Sequence, residues 1–170
     1  MEYQDFYAFI PEAARQMEKG VFLMTEGAHN PMTVGWAQFG YVWGKPMVTV
    51  FVRKSRYTYS LIEKSKTFSI SVPKAGNLSN ALGYCGSHSG RDGDKCAAAG
   101  LSVLPARTDC ADGIADCAIH FECRIVFRQE MDLTKMDTEL ATKFYGSNQA
   151  FGNGDPHTLY FGEVIAAYRE

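Results

Sequence analysis

The segment Met47-Val-Thr-Val-Phe-Val-Arg-Lys-Ser-Arg-Tyr-Thr-Tyr59 divides into two chemistries. Its first half alternates Val48, Val50 and Val52 against Met47, Thr49 and Phe51. β-Branched and aromatic residues in that pattern suit a strand buried on both faces. The segment then runs into Arg53, Lys54, Ser55, Arg56 and Thr58, ahead of a helical pattern in which Tyr57, Leu61 and Ile62 share a face. Guanidinium groups and hydroxyls hold a phosphate through charge-assisted hydrogen bonds, and a helix N-terminus adds backbone N–H groups. Strand alternation turns Arg53 and Ser55 to one side and Lys54 to the other. A solvated basic turn would carry the same residues.

Upstream, Pro31–Gly40 reads as one extended segment with Gly35 and Gly40 inside it. Glycine in a strand pattern marks a bulge or the close approach of a ligand or another backbone. Thr33 and Trp36 therefore suit the edge of a planar ligand, or a kinked barrel strand with a core tryptophan. Residues 11–19 predict a short helix opened by Pro11 and closed by Gly20, and Val21–Glu26 a strand. Tyr41–Lys45 reads as the turn into the central strand.

Downstream, Thr67–Pro73 alternates as a strand and Asn77–Cys85 reads as a helix capped by Asn77 or Ser79. Gly86–Lys95 is the second concentration of hydroxyls, glycine and cations, where Ser87, Ser89, Arg91 and Lys95 offer donors to a ligand. It also suits a flexible surface turn. Leu101–Arg107 and Ala118–Phe127 predict strands, the second with Phe121, Ile125 and Phe127 opposite His120, Glu122 and Arg124, as a half-exposed strand or one facing a subunit partner. Met136–Tyr145 predicts a helix, residues 152–156 a turn and His157–Tyr168 a last strand. Six or more strands with short helices between them favour a small, mainly β barrel over a doubly wound sheet.

The 170 residues read as one domain, residues 1–170. With 17 basic and 19 acidic residues, a formal net charge of −2 disfavours a nucleic-acid partner. There is no apolar run of membrane-spanning length and no signal-peptide pattern at the start, so a cytoplasmic protein is expected. Five cysteines without a CxxC pair fit reduced cytosolic thiols and no metal; Cys110, Cys117 and Cys123 as iron or zinc ligands are the alternative. Neither a GxGxxG turn nor a P-loop is present.

Five motifs in order then carry a family resemblance: Asn30-x-Met32-Thr33-x-Gly35-Trp36, Lys45-Pro46, Val52-Arg53-x-Ser55-Arg56-Tyr57-Thr58, Cys85-Gly86-x-x-Ser89-Gly90-Arg91-Asp92-x-Asp94-Lys95, and His157-x-x-Tyr160-x-Gly162-Glu163-Val164. Together they resemble the flavin reductase-like family of FMN-binding split barrels, most closely its flavoredoxin branch. The resemblance implies a homodimer of split β-barrels with FMN near the subunit interface. It implies that Met32, Thr33, Val34, Gly35 and Trp36 run along the isoalloxazine and ribityl chain. Arg53, Ser55 and Thr58 would hold the phosphate, while Ser89, Gly90 and Lys95 close over the cofactor. Asn30, Val52, Arg56, Cys85 and Arg91 stand in the same motifs as candidate contacts, and His157 would lie near the flavin or a nicotinamide. Cys96 departs from the family, which often has an aromatic residue there.

The expected activity is oxidoreduction, a hydride or electrons passing from NAD(P)H or another reduced donor through FMN to an acceptor. A non-catalytic electron carrier working with a redox protein is the rival, and a barrel for haem or another cofactor a third. No arrangement suggesting hydrolysis stands out.

Overall fold

The computed structural model describes residues 3–146 and 154–170. Helix α1 (Tyr3–Met17) begins well before the expected start and carries Pro11 in its interior. The reason is an apolar stripe. Phe6, Ala13 and Met17 are buried in the main core, with Phe9 and Ile10 packed against it. Burying that stripe outweighs a proline inside a helix, which costs about 3 kcal/mol.

Among the described residues nine strands follow, with four further α-helices and one 3-10 turn (Leu133–Lys135): β1 (Val21–Thr25), β2 (Ala28–Val34), β3 (Ala37–Val42), β4 (Lys45–Arg53), α2 (Tyr57–Ile62), β5 (Thr67–Pro73), α3 (Ser79–Ser87), α4 (Lys95–Ala99), β6 (Val103–Leu104), β7 (Gly113–Ile114), β8 (Cys117–Glu130), α5 (Thr138–Tyr145) and β9 (His157–Arg169). Seven of the strands form one antiparallel sheet in the order β2-β1-β5-β8-β9-β4-β3, and β6 pairs with β7.

That order determines the shape. The two edge strands, β2 and β3, are consecutive in the chain and joined by Gly35 and Trp36. Two residues span only about 10 Å even with their flanking bonds. The first and last strands of a seven-stranded sheet must therefore meet at that corner, so the sheet rolls up. No ladder pairs β2 with β3 among the described residues, and the barrel is left open along that seam. The extended segment expected over Pro31–Gly40 is thus two strands with a corner between them.

The central strand is as its pattern predicts. Val48, Val50 and Val52 are fully buried in the barrel core, and Met47 and Thr49 on the other face are nearly so. A second core, including Phe22, Met24, Leu82, Cys85, Cys96 and Ile114, lies beneath α3 and α4.

Strand β8 differs from the alternation expected of it. Ile119 to Cys123 are buried on both faces, His120 and Glu122 included, whereas residues 124–130 are mostly exposed. Burial changes along the strand because its ladder with β5 ends at Thr67↔Arg124. Beyond that point β8 pairs with β9 as far as Glu130↔Thr158.

Smaller differences have local causes. Of Leu101–Arg107 only Val103 and Leu104 pair as a strand. Helix α3 starts after Leu78 in the left-handed region (φ 60°), without a side-chain cap. Helix α5 starts at Thr138, where Asp137 caps the N–H groups of Glu139 and Leu140. Of the turn expected over 152–156, residues 152 and 153 lie outside the described residues.

Candidate functional site

Two cavities lie at the barrel corner, and Arg56 borders both. The larger, about 260 Å³, is walled by residues 32–36 of the β2–β3 corner, by Phe51 and Arg53 of β4, and by Gly86 and His157. The smaller, about 100 Å³, is walled by Asn30, by residues 55–58 before and within α2, and by Ser87–Arg91 and Lys95 of the glycine-rich loop. Three stretches separated in sequence are brought together here.

The smaller cavity is electrostatically unusual. Lys95 is 3% exposed, and its Nζ donates to the carbonyl of Cys85 at 3.0 Å. Arg56 donates to the carbonyls of Gly86 (2.7 Å) and Cys85 (3.3 Å). These carbonyls belong to the last turn of α3, the partially negative end of the helix. Neither cation has a carboxylate within 4 Å among the described residues. Burial consequently pulls the affinity of both for their protons below the ordinary value, and Arg56 adds to the effect on Lys95.

Asn30, 5% exposed, donates through Nδ2 to Thr58 Oγ1 at 3.0 Å. Its Oδ1 is buried without a partner among the described residues. Gly90 faces that oxygen: a Cβ there would stand 2.0 Å from Oδ1 and 3.0 Å from the Tyr57 ring. Any side chain at position 90 would fill the cavity mouth. Arg91 lies 5.1 Å over the Tyr57 ring and closes the same wall.

In the larger cavity the polar groups are held by distant parts of the chain. Arg53 donates to the carbonyls of Asp155 (3.1 Å) and Phe144 (2.9 Å) and lies 4.8 Å over the Tyr145 ring. Ser55 donates to Asp155 through its hydroxyl (2.6 Å) and backbone N–H (3.2 Å). Lys54 turns the other way, to Glu130 at 2.7 Å. The alternation expected of these three residues is present, with Asp155 as the meeting point of two of them. His157 receives a hydrogen bond at Nδ1 from the Tyr145 hydroxyl or gives one to it, at 2.8 Å. Burial, reinforced by Arg53, lowers its pKa to about 4. Trp36 leans on His157 (5.1 Å) and on Phe144 (5.2 Å), so the aromatic wall bridges to α5.

Apart from Arg56, which borders both cavities, the expected site residues fall into three groups. Met32, Thr33, Val34, Gly35, Trp36, Arg53 and His157 line the larger cavity, and Asn30, Ser55, Thr58, Ser89, Gly90, Arg91 and Lys95 the smaller. Val52 and Cys85 line neither: Val52 is in the barrel core, and Cys85 contributes its carbonyl while its thiol packs in the second core. Cys96 is buried there too, its thiol against the His29 carbonyl (3.7 Å), and burial pushes its pKa up to about 11. Its surroundings are those of a packing group. Among the described residues no three His, Cys, Asp or Glu side chains converge as metal ligands, and burial holds Cys110 at about 11. Sequence reasoning missed Phe51, Asp155 and Tyr145. Alternation could have found Phe51; nothing local points to the other two.

Comparison with known proteins gives a consistent result. The model of the flavin reductase-like domain family matches residues 14–170. An uncharacterised protein of Archaeoglobus fulgidus is 28% identical over 142 residues, 82% of this chain and 78% of that one. A flavoredoxin from Methanosarcina acetivorans superposes with a TM-score of 0.67 at 28% identity, over 89% of this chain and 68% of that one. An NADH:FAD oxidoreductase from Streptomyces globisporus does so with a TM-score of 0.63 at 25% identity, over 89% and 75%.

Proposed function

Because the chain belongs to the flavin reductase-like domain family, we propose that it binds FMN across the two cavities and serves as a cytoplasmic oxidoreductase, with NAD(P)H as a candidate donor. One observation carries the cofactor reading: buried Lys95 and half-buried Arg56, neither with a carboxylate within 4 Å among the described residues, face a small cavity beside hydroxyls and an amide oxygen that has no partner there. A phosphate dianion supplies the missing counter-charge, and a ligand hydroxyl would satisfy Asn30 Oδ1. The adjoining aromatic cavity suits a planar ring. FMN joins these three pieces of chemistry in one molecule.

When bound, FMN supplies hydride and single-electron chemistry. The chain's part is to hold and bias it. Arg56 and Lys95 neutralise the phosphate, with Ser89 and Thr58 as further donors. Strand β2 is an edge, so alternate backbone groups of Thr33–Gly35 have no ladder partner and can face the ring. N–H groups there favour the negative charge of the reduced ring. Trp36, Phe51 and Phe144 keep water from it.

Titration of apoprotein with three flavins and stopped-flow mixing with NADH and NADPH test the proposal. FMN should bind roughly 100-fold more tightly than riboflavin, because two or more charge-assisted bonds at roughly 1.5–3 kcal/mol each are at stake. FAD should bind more weakly than FMN, since Gly90, Arg91 and Tyr57 wall off the phosphate. Riboflavin binding as tightly as FMN would sink the phosphate assignment. Rapid bleaching by NADH or NADPH supports an enzyme. A bound flavin that neither reduces would favour the electron-carrier reading, which the flavoredoxin likeness keeps in view.

A homodimer is part of the proposal, and the structure suggests which face it uses. Trp43 (61% exposed), Phe127 and Phe161 form an aromatic cluster with ring centroids 5.4–6.0 Å apart. Phe161 lies on the outer face of β9 with Leu159, and the register sets that face beside Phe51 of β4. The apolar face therefore runs from the larger cavity to the β3–β4 hairpin, an association liability on a monomer. Sedimentation should give twice the 18.9 kDa chain mass, and Phe161→Asp should give monomers with weakened FMN binding. A wild-type monomer at micromolar concentration with FMN bound would reject the dimer.

A further inference from the structure

We propose that Tyr145 is a positioning residue, whose hydroxyl donates to His157 Nδ1 and fixes the imidazole as the Nε2–H form, giving the larger cavity one neutral hydrogen-bond donor. The role of that donor rests on the proposed function; the state of the ring does not.

The geometry limits where the phenol proton goes. Among the described residues the Tyr145 hydroxyl has two partners, His157 Nδ1 at 2.8 Å and Met131 Sδ at 3.5 Å. A thioether is a weak acceptor and an imidazole nitrogen a strong one. The shorter contact is also the one with full hydrogen-bond length. The reverse arrangement pairs a weaker donor, Nδ1–H, with a weaker acceptor, the phenol oxygen, and leaves the phenol proton to a thioether at 3.5 Å.

Every charged neighbour acts in the same direction or is already engaged. Arg53, directly opposite His157 on β4 and over the Tyr145 ring, opposes a positive charge on the imidazole. Burial raises the phenol pKa, so the phenol keeps its proton and has it to donate, and Arg53 partly offsets that rise. Asp155 favours a charged ring, but it is a smaller influence than burial or Arg53, and its carboxylate is bonded to Ser55. The ring therefore stays neutral above about pH 4. A neutral imidazole carries one proton, and with Nδ1 accepting, that proton is on Nε2. Nε2 has no hydrogen-bond partner among the described residues, and His157 lines the cavity. The natural acceptor is an oxygen or ring nitrogen that gains negative charge as the ligand is reduced. Helix α5 thus sets the protonation form of the His157 ring through one hydroxyl.

The test uses full-length apoprotein with ¹⁵N-labelled histidine. The chain has four histidines, so His157→Gln assigns the signal. Expected is a single neutral form, proton on Nε2, from pH 6 to 8. In Tyr145→Phe the ring should interchange between its two neutral forms; in Met131→Leu it should not change. A proton on Nδ1 in the wild type, or an unchanged spectrum in Tyr145→Phe, overturns the proposal whatever the protein binds. With FMN bound, Tyr145→Phe should slow nicotinamide-driven reduction about tenfold and change FMN affinity less than twofold.

Discussion

Lys95→Met is expected to weaken the proposed FMN binding roughly 100-fold or more and at the same time to stabilise the apoprotein. Opposite signs follow from one fact: Lys95 is buried, and it meets a carbonyl and Arg56 rather than a carboxylate. With phosphate present, the ammonium forms a charge-assisted contact in a site of low polarity, and its loss leaves the dianion short of a counter-charge. Without phosphate, the same ammonium is a desolvated charge next to a guanidinium, and methionine fills its volume at no electrostatic cost. Arg56→Ala should lose FMN to a similar degree without the gain in stability, because the guanidinium also ties the start of α2 to the end of α3. Arg53→Ala should do less to the phosphate and more to the position of α5. Calorimetric titration with FMN and thermal melts of the apoproteins check this. A Lys95→Met protein that melts lower and binds FMN normally would show that the lysine is structural.

Glu122→Ala should cost about 3–5 kcal/mol, the range seen when one partner of a buried charged network is removed. For a chain of this size that corresponds to a fall in Tm of roughly 10 °C or more. Glu122 is 1% exposed in the middle of β8. Its carboxylate accepts from the backbone N–H groups of Arg107 (2.7 Å) and Thr108 (2.9 Å), the Thr108 hydroxyl and the Tyr168 hydroxyl (2.9 Å). Four donors are orphaned at once. Glu12→Ala, which breaks a solvent-accessible pair with Arg169, should cost under about 1 kcal/mol. Equal melting temperatures for the two variants would mean that the network around Glu122 holds nothing together.

These two sites also mark what the sequence could convey. The β4 stretch was legible because both faces carry strand-forming apolar residues, and its cationic end because that chemistry is local. The loop at Ser89–Lys95 was legible for the same reason. Which arginine faces which cavity was not. Asp155, a hundred positions away, bonds Ser55, and the end of α5 bonds Arg53, which is why the phosphate cradle we propose rests on Arg56 and Lys95. Glu122 and His120 misled differently. Alternating charge on a strand ordinarily means solvent, and only the segment folded over β8 reverses it. In α1, the proline suggested a start that the buried Phe6 overrides.

The place of β9 has a further consequence, for the order in which the molecule can be assembled. It is the latest of the seven strands in sequence, yet it lies between β8 and β4. Before it arrives the sheet consists of two separate pieces, β2-β1-β5-β8 and β4-β3, tethered by Gly35 and Trp36. Pairing β4 with β9 then closes a loop of about a hundred residues, a slow, non-local step. His157 arrives with that same strand, and the two pieces contribute opposite walls of the larger cavity. On a ribosome, the larger cavity would come into existence only with β9. Until then, nascent chains would expose β4 and β8 as unpaired edges, the surfaces most open to wrong partners.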